Sequence, residues 1–231
     1  MGSSAIDPGG QGVEMTAMSA RSRRPPRPMP VVLLVDVSGS MDGEKIELLN
    51  RSVAEMLRAF AAEDSVRGEI HVAVIVFGGE TARLHQPITP AVQVSWAEMT
   101  ASGRTPLGAA LTMVNALLAD QDVVPDQAFP ATLVLVSDGA PTDEWQEALD
   151  ELLDSRKGSK ALRLAVGIGS DRTSEAEEVL RVFSTPGQDV LRADQVHEIA
   201  GLFRWVTATV TDQLHERTGR KPIRLEDLGN S

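Results

Sequence analysis

Asp36, Ser38 and Ser40 follow the apolar run VVLLV at alternate positions, Thr105 stands in ASGRTPLG, and Ser137-Asp138-Gly139 closes a second apolar run at 131–137. Three segments far apart in the chain therefore each end in carboxylate or hydroxyl oxygens. Nucleophilic catalysis fits them poorly. A nucleophile elbow needs G-x-S-x-G, but Asp36 and Ser40 flank Ser38 at the glycine positions. The phosphate-binding loop G-x-x-x-x-G-K-[ST] is not supplied by GSMDGEK. An aspartyl-phosphate mechanism wants a second aspartate two residues on as general acid, and Ser38 stands there. His71, His85, His197 and His215 lack paired zinc spacing. With two aspartates and a divalent ion, metal-assisted phosphoester hydrolysis is conceivable, yet no general base accompanies them.

A hard divalent cation, Mg2+ or Mn2+, suits an all-oxygen donor set. Neutral serine and threonine hydroxyls quench little of its charge, and two nearby aspartates would retain it. Such an ion keeps a coordination position for an outside carboxylate. Asp-x-Ser-x-Ser is apt because alternate residues of an extended turn point the same way. Local roles stay open for each residue: Ser40 or Asp42 as helix cap, Thr105 before Pro106 as N-cap, and Asp138-Gly139 as a turn.

The elements that must position these groups are legible in the apolar pattern. Continuous β-branched runs at 31–36, 70–77, 131–137 and 162–168 predict parallel strands buried on both faces. Helical spacing recurs in 44–62, 106–119 and 143–155. A further helix, 174–183, opens on Ser174-x-x-Glu177, a capping-box pattern. The last helix is expected from Asp194 to Glu216. Residues 82–88 alternate and carry Pro87, which predicts an edge strand; another short strand is expected at 189–192. The sum is an α/β fold: a three-layer, Rossmann-like, doubly wound sheet of about six strands, mostly parallel with one antiparallel edge strand, and helices on both faces. Residues 1–29, with RSRRPPRPMP, predict a flexible leader, 30–216 the domain, and 217–231 a polar tail.

The 231 residues carry 22 Lys+Arg against 33 Asp+Glu, a net charge of −11. That balance opposes nucleic-acid binding, which needs a basic face, and favours partners that are cationic or attached through a bound cation. Without cysteine, thiolate chemistry and disulfides are excluded. No apolar run approaches the roughly 20 residues of a membrane span, and the start lacks a signal-peptide pattern; a cytoplasmic protein is expected.

DVSGS, GRTP and SDG, in this order, resemble the metal-ion-dependent adhesion site of von Willebrand factor type A (vWA) domains, over roughly residues 30–216. The resemblance implies Ser38, Ser40 and Thr105 as direct ligands of Mg2+ or Mn2+, with Asp36 and Asp138 near the metal, often through water. The family frequently has Gly where Arg104 stands; that arginine would help attract an acidic partner or simply face solvent. VVLLVDVSGSMDGEKIELLN and ASGRTPLGAAL are most similar to bacterial TerY-like proteins of tellurium-resistance and stress-response clusters; Lys45 stands at the proline place of the pattern GxPxxxLN, which occurs across several intracellular branches with Lys or other residues there. This implies a non-enzymatic, metal-dependent binding module whose protein partner presents an Asp or Glu carboxylate, beside a kinase-like protein or a phosphatase. The alternative is an adaptor subunit of an AAA+ or chelatase-type ATPase. In adhesion relatives the site couples to movement of the final helix, here carrying Val196, Ile199, Leu202, Phe203 and Val206.

Overall fold

A computed structural model of the chain describes residues 25–63, 68–169 and 174–219. The central strand β1 (Arg27–Asp36) is the apolar run read from the sequence, and its residues from Pro30 to Asp36 are all buried. It is followed by α1 (Glu44–Ala62), β2 (Gly68–Gly78), β3 (Thr81–Pro90), α2 (Leu107–Ala119), β4 (Thr132–Ser137), α3 (Gln146–Asp154), β5 (Leu162–Ile168), α4 (Ser174–Phe183), β6 (Leu191–Ala193) and α5 (Ile199–Thr218). The sheet has six strands in the order β3-β2-β1-β4-β5-β6. Every pairing is parallel except β2 with β3, which is antiparallel at the edge. This is the predicted architecture.

Alternation along β1 divides the core. Met29, Val31, Leu33 and Val35 pack with Ile46, Leu49, Val53 and Phe60 of α1 and Phe203, Val206 and Val210 of α5. Val32 and Leu34 face the other layer, with Leu111 of α2, Leu152 of α3 and Phe183 of α4. Because side chains alternate across a strand, a buried strand with helices on both sides favours apolar residues at successive positions, as in Met29–Val35 of β1 and Leu133–Val136 of β4. Ile199, Phe203 and Val206, read from the sequence as packing the last helix, are fully or almost fully buried.

Several boundaries differ from the sequence reading. β1 begins at Arg27, inside the expected leader, and Met29 is inaccessible. Prolines at 28 and 30 are compatible with this because the β4 ladder starts only at Val31. Before that point Pro28 uses its carbonyl alone, accepting from Phe129 N at 2.8 Å, so no amide hydrogen is missed. α5 runs through Thr218, two residues past the expected end, after a 3-10 turn at Val196–Glu198. Residues 1–24 of the leader and 220–231 of the tail lie outside the described residues. So does the Ser174 side chain on which the capping-box reading rests.

The start of α2 matters for the site, since Thr105 precedes it. Pro106, not Thr105, occupies the N-cap position, and no cap bond comes from its own side chain. Asp143 does this from a distance: its Oδ1 accepts from Gly108 N at 2.9 Å and its Oδ2 from Ala109 N at 3.0 Å. Gly108 is required at this junction, because a Cβ there would stand 2.1 Å from the Glu144 carbonyl oxygen. No helix among the described residues is long and apolar enough to cross a membrane.

Replacing Asp143 by Ala should lower unfolding free energy by about 1–2 kcal/mol, the usual worth of an N-cap, and Asp143→Asn should lose less. Urea denaturation followed by circular dichroism checks this; parental stability in Asp143→Ala would show that the carboxylate does not hold α2.

Candidate metal centre

Strand order reverses between β1 and β4: the chain leaves β1 for β2 and β3 on one side, then returns to β4 on the other. Asp36 and Asp138 lie at the carboxyl ends of these two adjacent parallel strands, where open α/β sheets bind ligands. Asp36 is wholly inaccessible. Its Oδ1 accepts from Ser38 N at 2.8 Å and its Oδ2 from Ser137 Oγ at 2.6 Å. A buried ion loses several kcal/mol of hydration, and each hydrogen bond to a charged group returns about 1.5–3 kcal/mol. Two such bonds offset most of the loss and fix the carboxylate in the turn. Burial still pushes the Asp36 carboxyl above its ordinary value of 3.8; the bonds from Ser137 and Ser38 pull it down, and the charge of Asp138 adds to the rise.

The turn after Asp36 presents its hydroxyls in one direction. Ser38 Oγ and Ser40 Oγ are 3.0 Å apart, and Ser40 Oγ donates to Asp138 Oδ1 at 2.7 Å. Neither serine caps α1, whose N-cap residue is Gly43 without a side-chain bond, and Asp42 does not cap it either. The Thr105 loop is stitched to the same turn through the backbone. Gly39 N donates to Gly103 O at 3.0 Å, Ser102 N to Val37 O at 2.7 Å, and Arg104 N to Gly79 O at 3.2 Å. Gly103 has φ +73°, and a Cβ there would meet Gly79 Cα at 2.4 Å, so this approach excludes any larger residue. Thr105 N donates to Thr142 Oγ1 at 3.1 Å, and Thr105 O accepts from Thr142 N at 2.9 Å. The Thr105 hydroxyl itself has no protein partner among the described residues, although the residue is only 7% exposed. Arg104 is exposed on the same loop.

This donor set fits a hard cation. An octahedral ion with bonds of about 2.1 Å separates adjacent ligand oxygens by about 3.0 Å, the spacing of the two serine hydroxyls. All side-chain donors gathered here are oxygens, which suits magnesium or manganese. Among the described residues no group of three or more His, Asp or Glu could hold a metal; a site here must use hydroxyls. Three of the four histidines bond elsewhere, His71 with Glu69, His85 with the Ala97 carbonyl and His215 with Glu63.

Two contributors escaped the sequence reading. Ser137 carries the hydroxyl that bonds Asp36; its position beside an inward-pointing aspartate was the available signal. Lys45 places Nζ 2.6 Å from Asp138 Oδ2 and 3.1 Å from the Ser40 carbonyl. Its signal was weaker: a cation in the first turn of a helix, where the dipole disfavours it.

Residues 31–140 match the model of the von Willebrand factor type A domain family. The fold is that of solved vWA structures. The vWF domain of the pilus tip protein Mfa5 from Porphyromonas gingivalis superposes with a TM-score of 0.64 at 12% identity, covering 81% of this chain and 96% of that one. A von Willebrand factor type A protein from Catenulispora acidiphila gives 0.59 at 20%, covering 80% and 43%. Proximal thread matrix protein 1 from the mussel byssus, solved with a zinc-occupied MIDAS motif, gives 0.61 at 16%, covering 79% and 48%. The chain thus spans less than half the length of the last two. No curated protein matches the chain in sequence.

Asp36→Asn keeps an acceptor for Ser38 N and a partner for Ser137 Oγ while removing the buried charge. It should raise the melting temperature of the protein without added metal at neutral pH by about 2–4 °C. The folded state holds the Asp36 proton more tightly than the unfolded chain, whose carboxyl keeps the ordinary value of 3.8. This contribution to stability is therefore full below that value and lost as pH rises through the raised one. Thermal melts of metal-free parent and variant across that window check the sign; a variant less stable than the parent above the window would contradict it.

Proposed function

From a vWA fold that brings hydroxyls and two carboxylates to its topological switch point, we propose a divalent-metal-dependent protein-interaction module. Mg2+ or Mn2+ is held directly by Ser38, Ser40 and Thr105, with Asp36 and Asp138 close by, in part through water. When bound, the ion supplies Lewis acidity toward one carboxylate of an Asp or Glu on a partner protein. The observation that carries this reading is the 3.0 Å separation of Ser38 Oγ and Ser40 Oγ beside Asp138. The zinc-occupied MIDAS motif of the mussel protein supports a divalent cation at such a site.

The residues themselves hold, orient and select. Asp36 fixes the turn through Ser38 N. Asp138 orients the Ser40 hydroxyl. The backbone links from Gly39 and Ser102 bring the Thr105 loop alongside. Arg104, exposed at the rim, adds positive charge toward an acidic partner. The module is read as one that binds a partner rather than turns over a substrate. The bacterial tellurium-resistance or stress-response setting, and a kinase-like or phosphatase partner, rest on the TerY-like character of residues 31–50 and 101–111. The cysteine-free chain has no thiol for tellurium chemistry.

Isothermal titration with MgCl2 or MnCl2 should give one site per chain. Ser38→Ala and Thr105→Ala should each weaken it about tenfold or more, with melting temperatures within a few degrees of the parent. Equal binding by parent and Ser38→Ala would refute this ligand set. Affinity capture from a native extract should recover a protein with magnesium and lose it with chelator. An AAA+ ATPase among the recovered proteins would place the module in the adaptor class instead.

A further inference from the structure

Asp138 divides its two oxygens between opposite kinds of partner. Oδ1 accepts from the Ser40 hydroxyl at 2.7 Å, on the side of the proposed metal position. Oδ2 accepts from Lys45 Nζ at 2.6 Å. The ammonium also donates to the Ser40 carbonyl at 3.1 Å, so it ties the serine turn to the end of β4. The Asp138 side chain is 1% exposed and that of Lys45 27% exposed. The carboxylate is therefore sunk in the protein, and the ammonium forms the outer wall of its site.

The placement of Lys45 is not explained by helix formation. It lies in the first turn of α1, directly after Glu44 and shortly before Glu47. Negative groups are favoured there and a positive one is not. The acidic partner on the far side is what holds the ammonium.

We infer that Lys45 is a built-in counter-charge that tunes the proposed metal site: it cancels the charge of Asp138, weakens the hold on a divalent cation, and leaves more of the bound cation's charge for an incoming anion. The inference rests on the metal-site reading given above. With Lys45 paired to Asp138, Asp36 is bonded to the Ser38 amide and the Ser137 hydroxyl, and no ion pair is made to it among the described residues. Two like charges a few ångströms apart in a partly buried site repel, and Lys45 stands one carboxylate away from the cation. The fold then keeps Asp138 as an oriented acceptor for Ser40 without its full attraction for metal.

The test is MnCl2 titration of the full chain by calorimetry, with melting temperatures of each metal-free protein. Lys45→Met removes the charge and keeps the stem; Lys45→Gln keeps a donor and decides the matter should the Met variant fail to fold. Lys45→Arg keeps the charge. The neutral variants should bind Mn2+ about fivefold tighter or more, and the Arg variant within about twofold of the parent. Raising salt should shrink the difference. A parent that binds, with neutral variants no tighter or weaker, overturns the inference and leaves the metal site standing. Failure of the parent and every variant to bind overturns both.

Discussion

Burying Asp36 at the end of the central strand removes its hydration, and the rest of the site follows from how that loss is offset. The carboxylate is inaccessible, yet it lies where the sheet opens at the boundary between β1 and β4. Two oriented donors, Ser38 N and Ser137 Oγ, supply most of the compensation. They also dictate local geometry. To donate to Asp36, the chain must turn immediately after the strand, and that turn is what aims Ser38 and Ser40 along one direction. An aspartate here is therefore at once a charge to be compensated and the peg around which the serine turn is wound.

The neighbouring loops are held to that turn by backbone rather than by side chains. Gly39, Gly79, Ser102, Gly103 and Arg104 are joined in a net of main-chain hydrogen bonds of 2.7–3.2 Å among themselves and with Val37. Such a net is indifferent to side-chain rotamers, which makes the position of the Thr105 loop a property of the fold. The anchoring continues outward. Thr142 pairs with Thr105, and the next residue, Asp143, caps α2. One loop after β4 thus supplies the second carboxylate, the brace for Thr105 and the cap of the helix behind it.

How much of this was readable before the structure depends on the kind of information. The sheet, its buried strands and its antiparallel edge follow from apolar periodicity, because a strand covered on both faces is apolar along most of its length. Asp36, Ser38, Ser40 and Asp138 stand out in the sequence because polar groups follow apolar runs at their carboxyl ends, and Thr105 because it precedes a helical pattern; the structure brings Asp36, Ser38, Ser40 and Asp138 together through hydrogen bonds and the Thr105 loop beside them through the backbone. Ser137 and Asp143 do not stand out, since hydroxyls and acids near a strand end suit an ordinary turn equally well. Lys45 was hidden for a different reason. Its contact spans 93 residues of sequence, and a lysine in a surface helix carries no mark of what its ammonium meets. The entry of β1 at Arg27 was hidden by its prolines, which forbid helix but are tolerated where the ladder on one side has not begun.

In the proposed site, hydroxyls of separate segments share one ion. Crystals grown with MnCl2 and measured for anomalous scattering at the manganese edge test this directly. The prediction is a single peak at the end of β1 and β4, roughly 2.1 Å from Ser38 Oγ, Ser40 Oγ and Thr105 Oγ1. A manganese peak held by other residues, or ordered crystals at saturating manganese with no peak beside these three hydroxyls, would contradict it.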